Sequence, residues 1–235
     1  MKLIKRIEGL DWQNIETSLS REGVAITPAL LDGDERADCM AWYDQASLFR
    51  SRINMERYNY GRGEYQYFKY PLPERVALMR RHLYQKLAPI ANNWQEALRM
   101  EERYPATLDE YSQICHAAGQ VKPTPLILRY GEGDYNCLHQ DLYGEHAFPI
   151  QVAILLSEPE RDFEGGELVF VEQRPRMQSR PRVVSLKAGQ GVIFAVRFRP
   201  QKGPRGYHRV TLKHGVSQLH RGARYTLGMI FHDAQ

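Results

Sequence analysis

The amino-acid sequence predicts an α+β chain in one domain (residues 1–235), with a helical N-terminal layer (1–122) packed on an all-β core (123–235). Two observations carry this reading. Before Pro125, apolar residues recur at three- and four-residue steps between helix caps. After it, short runs of β-branched and aromatic residues are separated by Gly, Pro and charged turns, the rhythm of a sandwich or barrel. With 43% of its 235 residues hydrophobic, the chain can bury one core of ordinary size.

In chain order, Asp11 is placed to cap a helix through Trp12, Ile15 and Leu19 that Gly23 stops. Val24-Ala25-Ile26 then reads as a short strand ended by Pro28, and residues 32–43 as a second helix. Residues 57–70 (RYNYGRGEYQYFKY) hold too much Tyr and Gly for a helix and predict a hairpin or an ordered aromatic loop. From Pro73, the spacing of Val76, Met79, Leu83 and Leu87 predicts a long helix that Pro89 should kink or end. Another helix is expected over 108–117, stopped by Gly119. Strands are expected at 126–130, 150–156, 167–171, 183–186, 192–196 and 226–231.

Composition excludes several classes. No apolar run approaches the roughly 18–20 residues of a membrane span. The basic start, MKLIKRIEGLDW, has apolar stretches only two residues long and does not read as a signal peptide. Cys39, Cys115 and Cys137 lack C-x-x-C spacing, which argues against a disulfide scaffold or structural zinc site and predicts a reducing cytoplasm. The net charge of +4 conceals an asymmetry: Gln173 to Arg224 contains thirteen Lys or Arg and no acid, whereas the preceding 172 residues sum to −8. Such a block predicts a surface for an anionic partner, nucleic acid, phosphorylated ligand or acidic peptide, or else merely balances the acidic half.

The chemistry centres on NCLHQDLY, where His139 and Asp141 are two residues apart and share a face of an extended segment. A third ligand candidate is His214. Two His and one carboxylate on one face of an octahedron hold non-haem iron(II) and leave three positions for O₂ and a bidentate co-substrate; zinc would accept the same donors. His146, His208 and His220 read as surface or supporting residues, and Cys137 as a packing residue alternating with His139. Arg224, ten residues after His214 at the start of the last strand, is costly to bury unless it meets an anion, which it can grip in bidentate fashion.

With the turn and strand from Glu164 to Phe170 (EGGELVF) and the opening Arg129-Tyr130-Gly131-Glu132-Gly133, residues 124–233 resemble the Fe(II)/2-oxoglutarate-dependent dioxygenases of the prolyl-4-hydroxylase-like branch. The resemblance implies a double-stranded β-helix, or jelly-roll, core. It also implies that His139, Asp141 and His214 bind iron, that Arg224 pairs with the distal carboxylate of 2-oxoglutarate, and that Tyr130 contacts this co-substrate. The implied chemistry is hydroxylation of a C–H bond, with demethylation where that carbon is a methyl on nitrogen.

The whole chain further resembles a bacterial family described as oxidative demethylases of damaged DNA. Two Pro/Arg loops, 173–182 and 197–209, are expected at the rim, with Arg174, Arg176, Arg199, Lys202 and Arg205 facing phosphates and Tyr207 or Phe198 free to stack on a base. Alkylated-base dealkylases carry a second Arg six residues after the first; here that residue is Ile230, and the prolyl-hydroxylase-like spacing argues instead for a hydroxylase of a protein or small molecule. A non-catalytic metal-binding scaffold is the third alternative.

Overall fold

The computed structural model describes residues 2–235, and Met1 lies outside them. Five α-helices belong to the first half: α1 (Lys2–Glu8), α2 (Trp12–Glu22), α3 (Gly33–Ala41), α4 (Glu74–Ala97) and α5 (Leu108–Ala117). The expected punctuation of α2 is present. The Asp11 carboxylate accepts from the Asn14 amide, and Gly23 closes α2 at φ 73°, a conformation that favours glycine. Asp32 with Glu35, and Thr107 with Glu110, form reciprocal capping boxes at the starts of α3 and α5. Pro89 does not end α4, which runs through it. The proline and Gln85, whose carbonyl loses its partner, are both exposed, so water can satisfy the missing bond. None of the described helices is long and apolar enough to cross a membrane.

The strands are β1 (Val24–Ala29), β2 (Phe49–Asn54), β3 (Gly61–Arg62), β4 (Glu64–Phe68), β5 (Leu126–Tyr130), β6 (Tyr135–His139), β7 (Ile150–Leu155) and β8 (Phe163–Gly165). They continue with β9 (Leu168–Gln173), β10 (Arg180–Val184), β11 (Gln190–Ala195), β12 (Phe198–Gly203), β13 (Gly206–Val216), β14 (Leu219–Gly222) and β15 (Arg224–Met229). A seven-stranded antiparallel sheet has the order β1-β11-β7-β15-β5-β4-β2. A six-stranded sheet has the order β10-β9-β13-β6-β3, with β12 also pairing β13. The chain is thus a mixed α and β fold dominated by antiparallel sheets.

Two further expectations need correction. The N-terminal segment is more than a helical layer, because β1 forms one edge of the seven-stranded sheet and the β2–β4 hairpin the other. Residues 197–209 are not a rim loop: they form most of the β12–β13 hairpin, which turns between Gly203 and Gly206. Pro200 is tolerated there because β12 is an edge strand.

Phe170 of β9 meets Phe194 of β11 with ring centroids 5.1 Å apart, joining the two sheets. Val76, Met79, Leu83 and Leu87, the stripe read from the sequence, are all fully buried on α4. Beside them Tyr84, Tyr111, Phe148 and Phe231 pack edge and face, which ties α4 and α5 to the segment after β15. That segment is fastened by a buried ion pair. Arg80 donates to the carbonyls of Ile230 (2.9 Å) and Phe231 (3.1 Å) and to Asp233 Oδ1 (2.7 Å). Tyr70 and His116 contact the other Asp233 oxygen, each at 2.8 Å.

Burial alone would raise the Asp233 carboxyl, but Arg80, His116 and Tyr70 hold it below its ordinary range. Stability from this group is therefore present above the unfolded carboxyl pKa of about 4 and is lost as pH falls through the lower folded value. Asp233→Asn, which leaves Arg80 buried without its counter-charge, should destabilise the fold by about 3–5 kcal/mol at neutral pH. Thermal melting from pH 7 to 3 should show the variant and wild type converging at the acid end. A wild-type melting temperature in Asp233→Asn at pH 7 would refute the anchor.

Candidate active site

Strand register creates the site. His214 on β13 is the direct partner of His139 on β6, so both imidazoles project from one face, with ring centroids 4.2 Å apart. Gly215 permits this approach: a Cβ there would stand 2.6 Å from the Asn136 carbonyl oxygen. Asp141 follows β6 and turns back toward both rings, at 3.4 Å from His139 Nε2 and 3.3 Å from His214 Nε2. One donor atom from each of the three lies within 4.8 Å of the others.

Supporting bonds orient the donors. His139 Nδ1 donates to the Cys137 carbonyl (2.8 Å), leaving its Nε2 lone pair directed at the triad. Tyr143 donates to Asp141 Oδ1 and Gln151 Nε2 to Oδ2, each at 2.8 Å, and Gln151 comes from β7 of the other sheet. Burial works against charge at Asp141, yet the two histidines hold its carboxyl well below the usual range. Burial, then the neighbouring His139, depresses His214. An ionised carboxylate beside a neutral imidazole is the state that binds a divalent cation.

Arg224 starts β15 directly opposite Tyr130 of β5. Only 4% exposed, it donates to the Thr226 hydroxyl (2.8 Å) and has no carboxylate within 4.0 Å among the described residues. Burial pulls its guanidinium below the ordinary range. The fully buried Tyr130 ring lies 5.8 Å from that guanidinium, and its hydroxyl accepts from Asn136 (3.2 Å). The turn after β8 makes room: Gly166 adopts φ 63°, and a Cβ there would collide with Leu219 at 2.1 Å. The triad, Arg224, Thr226 and Tyr130 line one cavity of about 500 Å³. A smaller cavity of about 250 Å³ meets Arg224 from the side of Phe163 and Glu167.

The fold therefore gathers all five residues singled out from the sequence. His208 and His220 are exposed, and neither these nor His146 joins the donor cluster. Cys137 is exposed at the cavity wall, contrary to its expected packing role. Gln151 and Tyr143 were not anticipated. A glutamine inside the apolar run Ile150–Leu155, and a tyrosine two residues after Asp141, were the available signals.

The basic block divides in two. Arg199 is 1% exposed and paired to Glu172 (2.7 Å), and Arg174 pairs with the same carboxylate (2.6 Å), so neither is free for the phosphate contact expected of it. Arg182 pairs with Glu22, and Arg221 with Glu164. Arg176, Lys202 and Arg205 are exposed with no carboxylate within 4.0 Å among the described residues. Phe198 lies under the Arg209 guanidinium (4.9 Å), while Tyr207 is free.

Known proteins share this architecture. A Pseudomonas putida prolyl-4-hydroxylase superposes with a TM-score of 0.56 at 15% identity, over 95% of this chain and 99% of that one. A Trichoplax adhaerens prolyl hydroxylase, solved with a hypoxia inducible factor peptide fragment, gives 0.56 at 14%, over 99% and 92%. An oxidoreductase of the 2OG-Fe(II) oxygenase family from Burkholderia pseudomallei gives 0.53 at 15%, over 95% and 92%. At these identities the likeness is one of fold. In sequence, an uncharacterized protein of Mycobacterium tuberculosis is 48% identical over 167 residues, 71% of this chain and 72% of its own length. Residues 63–234, which include every donor, Arg224 and Tyr130, match the Oxygenase-NA family, described as an oxygenase catalysing oxidative methylation of damaged DNA. By that match and that relative, the chain belongs to the Oxygenase-NA family of oxygenases.

Proposed function

We propose that the protein is an iron(II)- and 2-oxoglutarate-dependent dioxygenase on a double-stranded β-helix core, acting on an alkylated base of a nucleic acid. The observation that carries the co-substrate is Arg224, a buried cation with no carboxylate within 4.0 Å among the described residues, in the same cavity as three convergent metal donors. The donors fit iron: two imidazoles and one carboxylate suit a six-coordinate ion that keeps positions open. Iron and 2-oxoglutarate bound there would supply O₂ activation coupled to decarboxylation, so that a substrate C–H bond is hydroxylated. On an N-methyl group, that oxidation ends in loss of the methyl as formaldehyde.

This chain's own residues do the positioning. His139, Asp141 and His214 would hold the metal, with Tyr143 and Gln151 fixing the carboxylate. Arg224 and Thr226 would anchor the distal carboxylate of 2-oxoglutarate, with Tyr130 beside it. The apolar walls, Leu168, Leu186 and Phe194 among them, would keep water from the reacting atoms. The family description supports a nucleic-acid substrate, and three free cysteines support a reducing, cytoplasmic setting. A second reading, hydroxylation of a peptide, is favoured by buried Ile230 where a base dealkylase would place its second Arg.

His139→Ala and Asp141→Ala should abolish iron binding and succinate formation while keeping a cooperative melt, and Asp141→Glu should fail as well; full activity in either alanine variant would remove that residue from the ligand set. Arg224→Met should weaken 2-oxoglutarate binding by two to three powers of ten, about 3–4 kcal/mol, with metal affinity unchanged. A larger loss in Arg221→Met would contradict the assignment. The substrate is tested by formaldehyde release from a single-stranded oligonucleotide carrying an N-methylated base. Turnover of 2-oxoglutarate without formaldehyde would transfer the assignment to the peptide reading.

A further inference from the structure

We infer that the outward face of the six-stranded sheet, across β12, β13 and β9, is a docking surface for single-stranded nucleic acid; this rests on the nucleic-acid reading above. Directly opposed residues of antiparallel strands project from the same face. His214 opposes Phe170 and Leu212 opposes Glu172, and these point inward. Lys202 opposes Tyr207, Pro200 opposes Arg209, and Lys213 opposes Val171, so these occupy the other face. Glu172, the one acid of β9, β12 and β13, is therefore turned inward and already satisfied by Arg174 and Arg199. Ser20 of α2 also accepts from Arg199, so the helical layer covers the inward side of β12.

What remains outside is acid-free. Lys202, Arg209 and Lys213 are exposed, with no carboxylate within 4.0 Å among the described residues. Between and beside them lie Tyr207, 51% exposed, and Val183 of β10, 61% exposed. Cations alone would suit any polyanion. Cations around an open aromatic on a sheet face suit a strand whose phosphates need neutralising and whose unpaired bases need a stacking partner. An acidic peptide would leave Tyr207 and Val183 unused. Lys213 is the neighbour of His214 in the chain, so the surface and the donor triad are two faces of β13.

The test titrates a fluorescent, mixed-sequence single-stranded oligonucleotide against wild type and a Lys202→Ser/Arg209→Ser/Lys213→Ser variant, between about 50 and 200 mM salt. The variant should bind at least tenfold more weakly, and its plot of log affinity against log salt should be shallower by about 2, from three lost contacts at roughly 0.7 each. Its cobalt(II) binding at the triad should match wild type, which verifies the fold. Tyr207→Ala should weaken binding about tenfold with an unchanged salt slope. A control lacking three exposed helix lysines, Lys2→Ser/Lys5→Ser/Lys86→Ser, should keep wild-type affinity and slope.

Unchanged affinity and slope in the sheet variant, or equal losses in the control, overturn the surface. If wild type still demethylates the methylated oligonucleotide, the function then stands without it. A wild type with no salt-dependent affinity for DNA, or one that captures only poly-glutamate, overturns both.

Discussion

The pairing of β13 with β6 is the constraint on which the site depends. It brings two imidazoles from residues 75 apart in sequence onto one face at contact distance, and it needs Gly215 to let the strands close. The third donor is held differently. Asp141 lies beyond the end of its strand, and its carboxylate is fixed by side chains from two directions. One of these, Gln151, belongs to the opposite sheet, so the triad assembles only when the sheets have packed on each other. Tertiary folding thus precedes the metal site, which is why removing a donor should spare the fold while loss of sheet packing would not spare the donors.

Electrostatics explains why the two ends of the cavity differ. Around the triad, a buried carboxylate is stabilised by neighbouring imidazoles, an arrangement ready for a cation. At Arg224, the same burial isolates a cation beside a hydroxyl and an aromatic face, an arrangement ready for an anion. A ligand carrying a chelating group at one end and a carboxylate at the other matches both.

Much of this was legible in the sequence. The caps at Asp11 and Gly23, the apolar stripe of α4 and most core strands follow local rules that single residues announce. His139, Asp141, His214 and Arg224 were recognisable because their residue types and order carry the chemistry. The failures share a physical cause. Pro89 was expected to kink or end α4, and α4 continues past it, because whether a proline ends a helix depends on whether solvent reaches the freed carbonyl, and that is a tertiary property. β12 was mistaken for a loop because its proline and charges hide a ladder that only β13 completes. Arg199 was counted among phosphate contacts because charge is visible in a sequence and ion pairing across folded strands is not. The inward turn of Glu172, which separates a neutralised core pair from an acid-free outer face, likewise exists only once the register is set.

The placement of β1 and of the β2–β4 hairpin at opposite edges bears on how the chain is made. β4 waits for β5, and β1 cannot pair until β11, more than 160 residues later, has emerged. At translation speeds of roughly 5–20 residues per second, this edge strand spends on the order of ten seconds or more without a partner. The segment that the family model matches, 63–234, omits β1 and β2 altogether. Expressed alone, it would present β11 and β4 as open ladders, a template for self-association. The N-terminal strands thus act as edge guards, protecting from intermolecular pairing the sheet that carries Arg224, Tyr130 and Gln151, while the imidazole donors sit on the other sheet.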